Sequence, residues 1–205
     1  MSHDNATDAV MELAKLIAPL DDIKRATKLP SGNHESDSHH SLSLAITCHV
    51  IVARYCPELD SNKVMRFALV HDLLELITGD EPTLLHDEKA HAAKKKKEHE
   101  AVAIFEQQFG AYPEVLDDNL AYERLDCPEA ALVYVLDKAC TVWTHFFDSG
   151  ENLKRLGVTN RAGIDKWYEE LMKKIKGNVK ADPPPIAWQI LDESFARMRH
   201  ELLSD

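Results

Sequence analysis

His71 and Asp72 stand side by side in the run Ala68-Leu69-Val70-His71-Asp72-Leu73-Leu74-Glu75-Leu76-Ile77-Thr78-Gly79-Asp80, an imidazole nitrogen next to a carboxylate oxygen among mostly apolar residues. A charged aspartate in such surroundings is costly unless something compensates it. A divalent cation would satisfy both side chains at once. The chain has 11 His and 35 acidic residues, so one adjacent His-Asp pair also arises by chance and gains meaning only from its company. His40, in His39-His40-Ser41, precedes an apolar run, and Asp137 lies in Val133-Tyr134-Val135-Leu136-Asp137-Lys138-Ala139-Cys140. Two imidazoles and two carboxylates suit one divalent ion (Co, Mn, Zn, Mg, Fe or Ni), with the remaining positions left to water. Open water positions are what hydrolysis at a metal needs.

The elements that must position these groups read as helices. A helix over 61–78, capped by Asn62 or Ser61 and stopped by Gly79, would carry His71, Asp72 and Glu75. Helical neighbours are about 100° apart, so His71 and Asp72 reach one ion only at the seam between their faces. Glu75 follows His71 by one turn on the same face, and Asp80, beyond Gly79, can curl back toward the same cleft. His40 and Asp137 would come from two further helices, a natural construction in a bundle core. Other readings of the same residues stand beside this one. His40 could be polar punctuation at a helix start, with Ser38 or Ser41 as cap; Asp137 could pair with Lys138 or Arg25; Glu75 could be an exposed helix residue. His49 reads as packed or hydrogen-bonded within its helix, and His86, His91 and His99 as solvent-facing, while His145 could approach a cleft.

Further helices are expected over 6–20, with Val10, Leu13, Leu16 and Ile17 on one side, and over 41–56, 87–109, 128–148, 161–175 and 186–203. The run Leu29-Pro30-Ser31-Gly32-Asn33 reads as a loop, Lys94-Lys95-Lys96-Lys97-Glu98 as a solvated helix face, and no stretch has the alternation of a strand. With 205 residues, 44% hydrophobic and only 7 Gly, and no composition shift or linker, the expectation is one all-α domain, a single helical bundle.

The net charge of -11 argues against nucleic-acid polymers and anionic membranes as partners. It also means that a phosphorylated substrate would need local positive charge, from a metal or a few Arg and Lys. Cys48, Cys56, Cys127 and Cys140 form no C-x-x-C pair, and the first residues, Met1-Ser2-His3-Asp4-Asn5, lack the parts of a secretory signal. No apolar run approaches the roughly 20 residues of a membrane span. A reduced, cytoplasmic setting is the simple expectation.

In order, His40, His71-Asp72 and Asp137 resemble the ligand set of the HD-domain metal-dependent phosphohydrolases, and the closer similarity is to the bacterial 5′-deoxynucleotidase branch. That branch has a Glu-Asn-x-x-Glu-His-Ser type segment, which appears here as Glu35-Ser36-Asp37-Ser38-His39-His40-Ser41. Its His-Asp-x-x-Glu-x-x-x-Gly-Asp appears as His71 to Asp80, followed by Pro82-Thr83. The likeness runs from about residue 20 to 147. It implies an HD-type bundle in which His40, His71, Asp72 and Asp137 bind one divalent cation. Glu75 and Asp80 would be acid/base and substrate-orienting carboxylates, and Arg25 would hold phosphate. The implied reaction is removal of phosphate from a nucleoside 5′-monophosphate, with a homodimer as the implied assembly. The chain departs from the branch at His39 in place of an acid, Ala26 in place of an aromatic residue and Leu84 in place of a second proline. Two alternatives remain: a triphosphohydrolase, for which Lys63, Arg66 and Lys138 would be the extra cations, and a non-catalytic helical binding protein stabilised by a metal. Leu76, directly after Glu75, counts against an alarmone hydrolase.

Overall fold

A computed structural model describes residues 5–79 and 100–203. Its elements are α1 (Ala6–Ile17), a 3-10 turn (Ala18–Asp21), β1 (Lys24–Lys28), β2 (His34–Ser36), α2 (Asp37–Tyr55), α3 (Ser61–Val70), α4 (Glu75–Thr78), α5 (helical over residues 100–109), α6 (Pro113–Glu123), α7 (Pro128–Phe147), α8 (Glu151–Arg155), α9 (Arg161–Asn178) and α10 (Pro185–Glu201). The chain is mostly helical, as its composition predicts. No helix among the described residues is long and apolar enough to cross a membrane.

The core is organised around α7, whose residues are buried almost without interruption from Ala130 to Ala139. A near-continuous apolar run cannot lie on a surface, so α2, α3 and α10 all pack against it. Pro128 at the start of α7 gives up no hydrogen bond there, because the first-turn N–H groups have no helical acceptor. A smaller cluster of Leu20, Val70, Leu73, Phe105 and Phe109 closes the other side, with the two phenylalanine rings stacked 4.5 Å apart. In α1, Leu13 and Leu16 pack against that cluster, whereas Val10 and Ile17 of the expected stripe remain exposed.

Three sequence expectations are corrected. The segment before α2 contains an antiparallel hairpin, with Lys24 opposite Ser36 and Lys28 opposite His34. Its polar residues hid it, because the side chains that it buries, Thr27, Glu35 and Ser36, leave no apolar alternation. The loop over 29–33 is the hairpin turn, closed by Leu29 N donating to Asn33 O, and Gly32 takes the positive φ of 85° that an L side chain resists. The helix caps also differ: Asp60 accepts from Asn62 N and Lys63 N, and Ser36 accepts from His39 N, where the adjoining serines and Asn62 were expected.

The third correction bears on the site. The expected helix over 61–78 is broken at Val70, and residues 71–74 form tight turns before α4. Asn119 of α6 donates its side-chain amide to Val70 O at 2.7 Å, and His71 Nδ1 lies 2.9 Å from Ala68 O. These side chains satisfy carbonyls that a continuing helix would have used. Glu75 N then bonds Asp72 O, a three-residue step that tightens the chain. Gly79, at φ 72°, ends α4. The expected helix over 87–109 is described only at its end, where residues 100–109 are helical, and the lysine run and His86, His91 and His99 lie outside the described residues.

His145 does not approach the site. It is buried in the other half of α7, its ring edge-on to Trp167 at 5.8 Å, with no hydrogen bond to either nitrogen. Burial pushes its pKa down to about 4 from the ordinary 6.5, and the Asp148 carboxylate only partly offsets this. The unfolded chain therefore binds a proton near pH 6.5 that the folded chain refuses until about pH 4. Stability is full above that window and falls by about 3 kcal/mol as pH drops through it. Urea unfolding at pH 7 and pH 4.5 should show this loss in the wild type, and His145→Leu should remove most of the difference.

Candidate metal centre

The break after α3 aims His71 and Asp72 into the space between α2 and α7. His40 enters from the first turns of α2 and Asp137 from the middle of α7. Donor atoms of His40, His71 and Asp72 all lie within 4.8 Å of one another. His40 Nε2 is 2.8 Å from Asp137 Oδ1, and His71 Nε2 is 4.0 Å from the same oxygen and 3.0 Å from Asp72 Oδ2. Residues 97 positions apart thus meet at hydrogen-bond distance. Four side chains from two helices and one inter-helix turn converge, where sequence spacing suggested three helices.

The donor chemistry fits a divalent cation. The His71 Nδ1–H donates to Ala68 O, which leaves Nε2 as the lone-pair nitrogen facing the carboxylates. That nitrogen is fully buried and makes no aligned hydrogen bond. His71, His40 and Asp137 side chains are almost wholly inaccessible, while Asp72 keeps 15% exposure, so the cluster opens on the Asp72 side.

The charges respond to one another. Burial by itself would raise the Asp72 carboxyl, yet the His71 imidazole and the Arg25 guanidinium outweigh it and hold this acid well below the ordinary carboxylate range. Asp137 behaves alike: burial opposes ionisation, and Lys138, His40 and His71 overcome it. His71 is raised above 6.5, because Asp72 and Asp137 outweigh its burial. Both acids are therefore ionised at neutral pH, the form in which a carboxylate can serve a cation. Asp137 does pair with Lys138, Nζ to Oδ2 at 2.5 Å, so the expected alternative partner and the metal-type cluster occur together on different oxygens.

Arg25, on β1, lies at the same cluster. Its Nη1 donates to Asp72 Oδ2 at 2.9 Å and to Asp37 Oδ1 at 3.2 Å, and its Nε is 3.9 Å from Glu35 Oε2. Glu75, half-buried at the start of α4, faces Asp37. Asp80 lies outside the described residues. Lys63 and Arg66 point elsewhere, to Glu129 at 3.1 Å and Asp118 at 2.8 Å. His49 is exposed and bonded to Ser61 Oγ at 3.2 Å.

Sequence reasoning did not single out Glu35 and Asp37. Glu35 is buried, accepts from Thr27 Oγ1 at 2.9 Å and sits 3.9 Å from His40 Nδ1. Asp37 is wholly buried at the first residue of α2. A signal was present in the alternation of β1 and β2, which turns Arg25 and Thr27 toward acids across the hairpin.

A family model described as HD domain matches residues 17–177. This chain belongs to the HD-domain family of phosphohydrolases. It is 30% identical over 154 residues to a protein of Saccharomyces cerevisiae named as a 5′-deoxynucleotidase, a match covering 68% of this chain and 69% of that one. A 5′-deoxynucleotidase of Vibrio cholerae is 29% identical over 126 residues, and there the HD-domain chain reaches 58% of its own length and 64% of the relative's. Among solved structures, a predicted metal-dependent phosphohydrolase of Magnetospirillum magnetotacticum superposes with a TM-score of 0.66 at 22% identity, covering 97% and 98% of the two chains. A protein of Pyrococcus horikoshii does so with a TM-score of 0.61 at 21% identity, covering 93% and 98%. These two likenesses support the HD-type fold.

If the cluster takes a divalent ion, saturating Mn, Co or Zn should raise the melting temperature of chelator-treated protein, by about 2.7 kcal/mol of stability at a hundredfold excess over Kd. His71→Ala should keep its fold and lose that rise. Scanning calorimetry with and without ion checks both.

Proposed function

We propose that this HD-domain hydrolase is a metal-dependent phosphomonoesterase acting on nucleoside 5′-monophosphates, with His40, His71, Asp72 and Asp137 holding one divalent cation. The observation that carries the reading is the Arg25 guanidinium 2.9 Å from Asp72, which sets a phosphate-binding cation against the donor cluster at its open side. When bound, the ion would lower the pKa of a water and polarise the phosphoryl oxygen.

The chain's own residues supply the rest. Arg25 binds the phosphate oxygens and offsets charge that grows on them during bond cleavage. Glu75 and Asp80 are proposed as the carboxylates that orient the attacking water and pass a proton to the departing 5′-oxygen. Lys138 neutralises the outer oxygen of Asp137, leaving Oδ1 turned toward the imidazoles. Pairing of Lys63 with Glu129 and of Arg66 with Asp118 supports a monophosphate over a triphosphate, because those cations are already engaged away from the site. The 5′-deoxynucleotidase relatives support a nucleotide substrate.

The proposed organisation is one HD-type domain across residues 1–205, in the cytoplasm, where the free thiols of Cys48, Cys56, Cys127 and Cys140 would remain reduced. A homodimer is supported by Leu42, Ile46 and Val50, spaced by one turn along α2 and 55%, 59% and 39% exposed. Sedimentation should give twice the chain mass, with Ile46→Glu returning it to the monomer.

The deciding assay is phosphate release from matched ribo- and deoxyribonucleoside mono- and triphosphates, with Co, Mn, Mg and Zn each supplied. Orthophosphate from monophosphates is expected. Tripolyphosphate from triphosphates would transfer the reading to the alternative, and turnover of neither would end it. Arg25→Ala should lower kcat/KM by about 10- to 100-fold, the worth of a charge-assisted phosphate contact.

A further inference from the structure

One guanidinium serves two acids at this site. Arg25 Nη1 bridges Asp72 Oδ2 at 2.9 Å and Asp37 Oδ1 at 3.2 Å. Asp72 is partly exposed and belongs to the donor cluster, whereas Asp37 is completely buried and lies outside it. The backbone fixes Asp37: its N–H donates to Ile23 O at 3.2 Å, and it opens α2 just after the Ser36 cap. Asp72, by contrast, sits in a turn.

An ion drawing on Asp72 competes with Arg25 for the same carboxylate oxygen. A guanidinium cannot lose its proton, so when Asp72 turns away, Arg25 needs another anion within reach. Asp37 is an anion already in contact with it. Glu35 Oε2, at 3.9 Å from Nε, is too distant to hydrogen-bond. We propose that Asp37 is a positioning residue that keeps Arg25 in place and leaves Asp72 available to a divalent cation. The inference rests on the reading of Asp72 as a ligand, and it assigns to Asp37 a part that acts only through Arg25. Without Asp37, Arg25 keeps its contact with Asp72 and loses the buried carboxylate that draws Nη1 the other way, so it closes on Asp72. The same collapse would withdraw the guanidinium from the mouth of the site, where a phosphate would meet it.

A double-mutant cycle read by metal affinity tests this. Chelator-treated wild type, Asp37→Asn, Arg25→Met and the double variant are titrated with Mn by isothermal calorimetry, and circular dichroism checks that each is folded. Removing a negative charge near any cation site weakens binding somewhat by itself, so the decisive quantity is how the Asp37→Asn effect depends on Arg25. In the wild-type background, Asp37→Asn should weaken Mn binding by about tenfold, the usual scale for groups that orient a ligand. In the Arg25→Met background the same change should cost less than about twofold. A penalty of equal size in both backgrounds, or none in either, overturns the proposal. Should Asp37→Asn fail to fold, Asp37→Ser is compared across the same two backgrounds, and Arg25→Met alone must bind Mn at least as tightly as wild type. The readout needs no substrate. Absence of nucleotide hydrolysis would thus count against the proposed activity and leave this inference standing, while Mn binding by none of the variants would remove the ligand reading and this inference with it.

Discussion

Like charges crowded at one end of a helical bundle are the constraint on which this structure depends. Glu35, Asp37, Asp72, Glu75 and Asp137 all gather around one cleft, three of them buried. Carboxylates cannot be packed that closely in a low-dielectric interior without compensation. The compensation within the chain is Arg25 on one flank and Lys138 on the other, with two imidazoles between. Among the described residues, two permanent cations face five carboxylates, an excess of negative charge that is the electrostatic basis for expecting a divalent ion there. The shifts follow from this balance: Asp72 and Asp137 are held ionised by their partners, while Asp37 is pushed upward by burial and by the nearby Asp72.

The scaffold answers the repulsion with rigidity. α7 is surrounded along most of its length, so Asp137 is presented from a fixed helix. His40 meets it from α2, and the α2–α7 contact is thereby polar at one end and apolar where Leu44 and Cys48 join the main core. The His71-Asp72 turn is fastened at Val70 and Ala68 by side-chain donors. These bonds do at the backbone what packing does for α7.

What the sequence made legible was what is local. The His-Asp pair, its distance to Glu75 and the apolar setting of Asp137 are contiguous patterns, and α7, α9 and α10 follow their periodicity, α7 and α10 with their Pro starts, whereas α6 and α8 were not expected. The break in the expected helix over 61–78 was not legible, because its cause is Asn119, 49 residues downstream of the carbonyl that it takes. The hairpin escaped because Lys24 to Lys28 carries no apolar alternation. Asp37 lay ahead of the helix expected over 41–56 and carried no signal of its own. Only the fold puts it beside Arg25 with no exposure to solvent. His145 could have approached a cleft by its place on the Asp137 helix, yet tertiary packing against Trp167 seals it in.

The hairpin bearing Arg25 has a consequence for how such a molecule can change over generations. The donor cluster is built into α2, α7 and the turn between α3 and α4, where alterations disturb the core. Arg25 rides instead on a two-stranded ribbon whose neighbours Lys24 and His34 are exposed. Exposed positions on the ribbon, such as Lys24, can therefore be exchanged at little expense to folding. Such exchanges leave the cluster of imidazoles and carboxylates untouched, because it hangs from other parts of the chain.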